Sequence, residues 1–483
     1  MKVNSLLDVN VVALDAEDEI NVLLELEAPA AKTGPRPQAS LQVVLDRSGS
    51  MSGAPLEGAK QALIALARRL EPSDNFGLVT FDDTAQVVVP AGPLTDKDDA
   101  IARIAAVRPG GTTDLSAGYL RGLREIRRVA SAGGTVLIVS DGHVNAGLSE
   151  ASEFAALTSK AYADGVVTST LGYGLGYDET LLTAMARAGS GNHVFADNPD
   201  AAGAAIAGEV DGLLSKVVQA LSLTVRFQPQ VEFLRLYNDL PAQQLGDGEV
   251  MIELGDLYGQ ETRKVLLKFK VPALKTLGLA QVATLELAYV ELPALVEQVV
   301  TIPIAVNVVP GDEATGRIPQ ASVRSEVLFQ EAQDAKRKAS EAFERGDLDT
   351  GKAHLYETKT RLSEALAIAP DVAAADIRAE LADVDAMDSM TYDVGASYMS
   401  KMTAASYHRG SRQRGRTPEP ADSRAPRIAP SHITSLAPNE IFVSARTPRG
   451  RTRAARRASR TRTSAPSGVR ATACTASPTR STR

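Results

Sequence analysis

Tryptophan is absent from the 483 residues, and aromatic side chains make up only 4% of them. Hydrophobic cores must therefore be assembled from Leu, Val, Ile and Ala. The single cysteine, Cys474, excludes an intrachain disulfide framework and fits a reducing compartment. None of the five histidines stands in metalloprotease or zinc-finger spacing. Serines are plentiful, but none occupies a nucleophile-elbow motif. No apolar run reaches the ~18 residues that a membrane span requires. The N-terminus, Met1-Lys2-Val3-Asn4-Ser5, does not open a secretory signal. These absences argue against a secreted disulfide scaffold, a membrane protein and the common hydrolases, and a cytoplasmic, non-enzymatic protein is expected.

Charge is unevenly spread. Seventeen arginines, one lysine and three acidic residues fall within 401–483. That segment carries a surplus of roughly +15, which leaves roughly −22 on the rest of a chain whose formal net charge is −7. Beyond about residue 405 hydrophobic periodicity disappears. The Arg, Ala, Ser, Thr and Pro that replace it cannot bury enough apolar surface to offset ordering entropy, so 405–483 is expected to be a disordered basic tail. Such a tail can be a solvated linker, a binder of acidic surfaces or nucleic acid, or non-native sequence read from a shifted frame. Its one Phe and one Tyr give base stacking little support.

The body divides by period. Ile20–Glu27 alternates in part and reads as a strand, with 1–38 expected to contribute strands to a β-sandwich. From 39 to 218, short apolar runs alternate with helical stretches. Strands are expected at Leu41–Leu45, 76–81, 86–89, Thr135–Val139, 166–171 and 193–195, with helices at 55–70, 96–107, 114–130, 149–164, 178–188 and 199–218. That alternation predicts a doubly wound, mostly parallel α/β sheet. After about residue 219 the period changes: Leu221–Phe227, Leu267–Val271 and Leu285–Tyr289 alternate strictly, and 219–310 is expected to form an antiparallel β-sandwich. Residues 320–395 turn helical, with Ala332, Ala335, Ala339, Ala342 and Phe343 on one face. Breaks at Gly346-Asp347 and Pro370-Asp371 predict a helical hairpin plus one more helix.

The chemistry concentrates at three loops of the α/β segment. Asp46-Arg47-Ser48-Gly49-Ser50 follows the first buried strand, and ligand sites in open α/β sheets lie beyond the carboxyl ends of such strands. A carboxylate and two hydroxyls are oxygen donors that suit a hard cation. Gly110-Gly111-Thr112-Thr113-Asp114-Leu115 opens a helix with further hydroxyls, and Ser140-Asp141-Gly142 adds a second carboxylate after the most apolar strand. An octahedral ion such as Mg²⁺ held by these groups, some through water, would keep one position for an Asp or Glu of a partner.

Taken together, these three motifs resemble the metal-ion-dependent adhesion site of von Willebrand factor type A (VWA) domains, a Rossmann-like fold. The resemblance implies Asp46, Ser48, Ser50, Thr113 and Asp141 as the metal residues, with Thr112 the alternative to Thr113. It implies Mg²⁺, with Mn²⁺ or Ca²⁺ as other candidates, and a protein partner that supplies the last carboxylate. Val79-Thr-Phe-Asp82-Asp-Thr-Ala, Gly172-Tyr-Gly-Leu-Gly176 and Gly191-Asn-His-Val-Phe195 are similar to bacterial VWA proteins. A sandwich around the VWA segment is similar in layout to inter-alpha-trypsin-inhibitor heavy chains. A rival role is that of a non-catalytic accessory subunit in an ATPase- or chelatase-type complex, whose motor would have to be another chain.

Weaker signals receive plainer readings. Asp82-Asp83 is expected to make a turn, Arg47 to point outward, and His143 and Asn145 to sit on the rim of the site. The P-loop-like Gly346-Asp-Leu-Asp-Thr-Gly351-Lys352-Ala353 carries Ala where the Mg²⁺-binding hydroxyl belongs and lies between helices, so no nucleotide is expected. Gly172, Gly174 and Gly176 have the wrong spacing for a dinucleotide loop. A phosphoaspartyl role for Asp46 would need a second Asp where Ser48 stands.

Overall fold

The computed structural model describes residues 1–31, 36, 38–130, 133–141 and 144–412. The chain begins with three strands, β1 (Lys2–Leu7), β2 (Val11–Ala13) and β3 (Asp18–Glu27). An α/β segment follows: β4 (Ser40–Asp46), α1 (Ala54–Arg69), β5 (Asn75–Phe81), β6 (Ala85–Pro93), α2 (Lys97–Ala105), α3 (Leu115–Arg127), β7 (Gly134–Ser140), α4 (Ala151–Ala163), β8 (Val166–Tyr173), α5 (Glu179–Ala188), β9 (Ser190–Ala196) and α6 (Pro199–Leu214). Its strands form one sheet in the order β6-β5-β4-β7-β8-β9. All neighbours are parallel except β6, which runs antiparallel to β5 at one edge.

Every residue of β4, β5 and β7 is buried. Alternation within β4 explains why the run is apolar at Leu41, Val43, Val44 and Leu45, with Gln42 the one buried polar exception among them. Leu41, Val43 and Leu45 enter the core shared with α1, α2 and α6, while Val44 faces the opposite core with Tyr119, Ile126 and Phe154. A strand covered by helices on both faces favours apolar side chains on both, because successive side chains point to opposite faces. Burial of each such side chain contributes about 1.5–3 kcal/mol. Helix starts are marked by side-chain caps: Asp96, Asp114, Asp178 and Asn198 each accept from a backbone N–H three residues on.

Beyond α6 come β10 (Lys216–Phe227), β11 (Glu232–Leu236), β12 (Ala242–Gly246), β13 (Glu249–Tyr258), β14 (Thr262–Val271), β15 (Gly278–Glu291) and β16 (Val296–Val309). They combine with the first three strands into two sheets, β1-β3-β14-β11 and β12-β13-β10-β15-β16-β2. The α/β segment is thus inserted between β3 and β10. Ile20, Val22 and Leu24 of β3 share a core with Leu221, Leu223 and Val225 of β10. Pairing is antiparallel with one exception, the short β2, which runs parallel to the end of β16. The outer face of the four-stranded sheet carries one apolar patch, where Leu23 and Leu266 pack on Val323 and Val327 of a helix described next.

The C-terminal part holds a short helix α7 (Gly311–Thr315) and four long ones, α8 (Ala321–Glu344), α9 (Leu348–Ile368), α10 (Asp371–Val394) and α11 (Ala396–Arg412). Gly346, at φ +81°, makes the tight reversal between α8 and α9. The hairpin and the helix after Pro370 lie where the sequence predicts them. The fourth long helix does not: it continues through residues 405–412, where a disordered tail was expected. The composition is polar there because α11 is held mainly by polar contacts, as described below. The remainder of the expected tail, and Cys474, lie outside the described residues.

Candidate metal centre

β4 delivers Asp46 to the carboxyl edge of the sheet with no exposure to solvent. Both carboxylate oxygens are engaged. Ser48 N donates to Oδ1 at 2.8 Å, and the hydroxyl of Ser140, from the neighbouring strand β7, donates to Oδ2 at 2.6 Å. Residues Gly49–Met51 then form one 3-10 turn. That turn brings Ser48 Oγ and Ser50 Oγ within 3.1 Å of each other, and Ser50 Oγ donates to Asp141 Oδ1 at 2.8 Å. Ser48 is buried, Ser50 exposed and Asp141 intermediate.

The loop before α3 is tied to this turn by backbone bonds. Gly49 N donates to Gly111 O at 2.9 Å and Gly110 N to Arg47 O at 2.6 Å. Glycine is required at 110, where a Cβ would sit 1.9 Å from Asp82 Oδ2. Thr113 is buried, and Asn145 pins it: Thr113 N donates to Asn145 Oδ1 at 2.8 Å, and Asn145 N returns a bond to Thr113 O at 3.1 Å. Thr112 is exposed. Asp114 caps α3 through Ala117 N at 2.9 Å, so its carboxylate is committed to the helix.

Two sequence expectations change here. Arg47 does not point away from the protein; its guanidinium pairs with Asp82 Oδ2 at 2.8 Å. Asp82 makes the expected turn, accepting from Thr84 N at 3.0 Å, but it also carries the ion pair that fastens Arg47. Asn145, expected on the rim, is a structural tie to Thr113. His143 and Gly142 lie outside the described residues. Ser140 was present in the Ser-Asp-Gly motif without a role. Its place at the last position of a buried strand beside Asp46 was the signal that could have given it one.

The electrostatics are those of two carboxylates short of positive charge. The Asp141 carboxyl is pushed up to about 6, chiefly by burial, with the Ser50 hydroxyl opposing the rise and the nearby charge of Asp46 adding to it. Asp46 is also raised, first by burial, against the opposing hydrogen bonds of Ser140 and Ser48. Asp82 stays below the ordinary carboxylate range: burial alone would raise it, but the Thr84 amide and the Arg47 charge more than offset that. A divalent cation would relieve the strain on Asp46 and Asp141. Among the described residues no group of three His, Cys, Asp or Glu side chains could hold a metal, so a cation here depends on hydroxyl donors. The donor set fits one. Adjacent oxygens around an octahedral ion of Mg²⁺ size lie about 2.9 Å apart, close to the 3.1 and 2.8 Å separations of Ser48, Ser50 and Asp141.

A doubly wound sheet with a hydroxyl and carboxylate cluster beyond its first central strand defines the class of this α/β segment. Residues 41–204 match the von Willebrand factor type A domain, and the chain carries such a domain. It is 26% identical over 218 residues to the uncharacterized protein YfbK of Escherichia coli, an alignment covering 44% of this chain and 38% of that one. It is also 26% identical over 229 residues to inter-alpha-trypsin inhibitor heavy chain H1 of Mesocricetus auratus, covering 44% of this chain and 24% of the other. The chain thus spans well under half the length of these relatives. The solved von Willebrand factor type A protein from Catenulispora acidiphila shares the fold over 85% of this chain and 96% of its own, with a TM-score of 0.63 at 16% identity. That likeness extends past the α/β sheet into the sandwich and helices. Among the described residues no helix is long and apolar enough to cross a membrane.

Proposed function

We propose that the protein is a binding module rather than an enzyme, and that Asp46, Ser48, Ser50, Thr113 and Asp141 hold a divalent cation at the edge of the VWA sheet. Mg²⁺ is the ion the spacing favours, with Mn²⁺ and Ca²⁺ as other hard cations the oxygens accept. The bound cation would supply a positive centre to which a carboxylate from a partner protein can attach. The chain's own residues set the geometry. Asp46 and Ser140 hold the base of the site, Ser48 and Ser50 present hydroxyls, and Asn145 keeps Thr113 in place. Arg47, tied to Asp82, keeps its charge beside the site without occupying it.

The gathering of the Ser48, Ser50 and Asp141 oxygens at 2.8–3.1 Å beside two carboxylates of raised pKa carries this reading. Calorimetric titration of Mg²⁺ and Mn²⁺ into the full chain tests it. One saturable event is expected, reversed by chelator and lost in Asp46→Ala. Heat that persists undiminished in Asp46→Ala, or none with either ion, would sink the assignment. For the partner step, retention of the same proteins on immobilised wild type in chelator as in Mg²⁺ would count against the metal's part in binding.

A further inference from the structure

The helix α11 is remote in sequence from the α/β segment, yet it lies along the edge strand β9. Near its start, Tyr398 OH donates to Asp197 Oδ2 at 2.9 Å, and its ring meets Phe195 edge-on at 5.8 Å. Near its end, Arg412 donates to Gly191 O at 2.8 Å and His408 faces His193 at 6.3 Å. The helix therefore runs antiparallel to β9. Its first turns lie at the carboxyl end of the parallel strands, the end that carries Asp46 and Asp141.

Lys401 of α11 reaches the loop between β8 and α5, as Ser400 reaches Glu179 just after it. Lys401 is buried, donates to Tyr177 O at 2.9 Å and sits 3.9 Å above the Tyr177 ring, with Glu179 at 3.8 Å. Tyr177 is itself wedged in place, its ring lying so close to Gly172 that a Cβ there would be 2.4 Å away. The preceding residue, Gly176, is packed on the metal site: a Cβ there would lie 2.8 Å from the backbone oxygen of Asp141. The β8–α5 loop is thus held between Asp141 on one side and Lys401 on the other.

We propose that Lys401, acting through Tyr177 and Gly176, is a positioning residue for Asp141, so that seating of the first half of α11, where Lys401 lies, and affinity for the metal are coupled. The proposal rests on the metal reading above for its ligand and on packing alone for the coupling. Residues that orient a ligand without touching the ion typically change metal affinity 10–100-fold. Coupling between two sites is reciprocal, so metal binding must also tighten α11.

Two measurements on the full chain test this. Without metal, hydrogen exchange of amides 174–178 and of Asp141 is compared between wild type and Lys401→Met. Faster exchange in the variant is expected, and equal exchange would overturn the positioning role whether or not the site binds metal. With Mn²⁺, calorimetry should show about tenfold weaker binding in Lys401→Met. Arg412→Met, which unties the far end of α11, should lower Tm comparably yet leave Kd within about twofold. Equal Kd values for wild type and Lys401→Met would overturn the coupling. If Lys401→Met fails to fold, Lys401→Gln takes its place. Mn²⁺ should also slow amide exchange within α11 of the wild type, and unchanged α11 exchange at saturating Mn²⁺ would equally overturn it. Absence of any Mn²⁺ binding to wild type removes the metal reading instead, and the metal-free exchange comparison then decides the positioning role by itself.

Discussion

Strand β7 and helix α11 are both well buried, but by opposite means. All seven residues of β7 are buried, and four of them, Val136 to Val139, divide between two apolar cores. Helix α11 buries Ser400, Lys401, Thr403, Ser406, Ser411 and Arg412, with only Met399 and Ala404 as buried apolar residues. Its neighbours match this pattern. Lys336 of α8, with no exposed side-chain surface, pairs with Glu380 of α10 and donates to Ser406 of α11 at 3.0 Å. Asn238 donates to Ser411 O at 3.0 Å, and Ser340 to Ser400 O at 3.1 Å. Apolar burial is non-directional and tolerates small displacements. Hydrogen-bonded burial holds only in one register, because each group left without its partner carries a desolvation penalty.

The largest effect should come from breaking that polar register. Glu380→Ala leaves the Lys336 ammonium buried without its carboxylate and is expected to destabilise the protein by about 3–5 kcal/mol, whereas Lys336→Met combined with Glu380→Leu should lie much closer to wild type. Urea unfolding of the three chains distinguishes these outcomes. A double variant as unstable as Glu380→Ala would mean that the pair is not what matters there. On the apolar side, Leu137→Ala should cost about 2–5 kcal/mol through lost burial and a residual cavity. It should lower the urea midpoint without the rescue by a partner mutation that the ion pair allows.

A smaller effect is expected from pH. Burial alone would raise Asp239, but the bonded His408 and the charges of Arg412 and Arg187 bring its carboxyl down to about 2. A carboxyl depressed in the folded state adds stability above its unfolded value of about 3.9, and that stability is lost as pH falls from there through about 2. The contribution is on the order of 2 kcal/mol, and Asp239→Asn should flatten the dependence of stability on pH in that window. An unchanged slope in the variant would count against this assignment. Smallest of all, Arg103→Ala removes an exposed i,i+4 pair with Asp99 at 2.7 Å and should change stability by less than about 0.5 kcal/mol.

The same contrast separates what could be read from residue order and what could not. The α/β alternation was legible because strands covered on both faces are largely apolar, as Val136–Val139 is. The grouping of Ser48, Ser50 and Asp141 oxygens could be read in part as well. Asp46, Ser48 and Ser50 are close neighbours on one turn, and Thr113 and Asp141 come from loops that follow the same sheet. Ser140 and Asn145 were overlooked as supports, and Arg47 was placed outward, because a buried ion pair with Asp82 depends on a loop 35 residues away in the chain. Helix α11 was the largest miss. A helix whose buried face is Ser, Lys, Thr and Arg shows no apolar stripe, and its polar side chains read as a solvated surface until their partners are known. Residue order alone therefore determined the layers, the sheet and the oxygen donors of the Asp46–Ser50 turn, each set by local period or by neighbours in one loop. Only the tertiary structure decided which polar groups are buried, that α11 is laid along β9, and that Lys401 reaches the loop against Asp141, because hydrogen-bond partners distant in sequence leave no periodic trace.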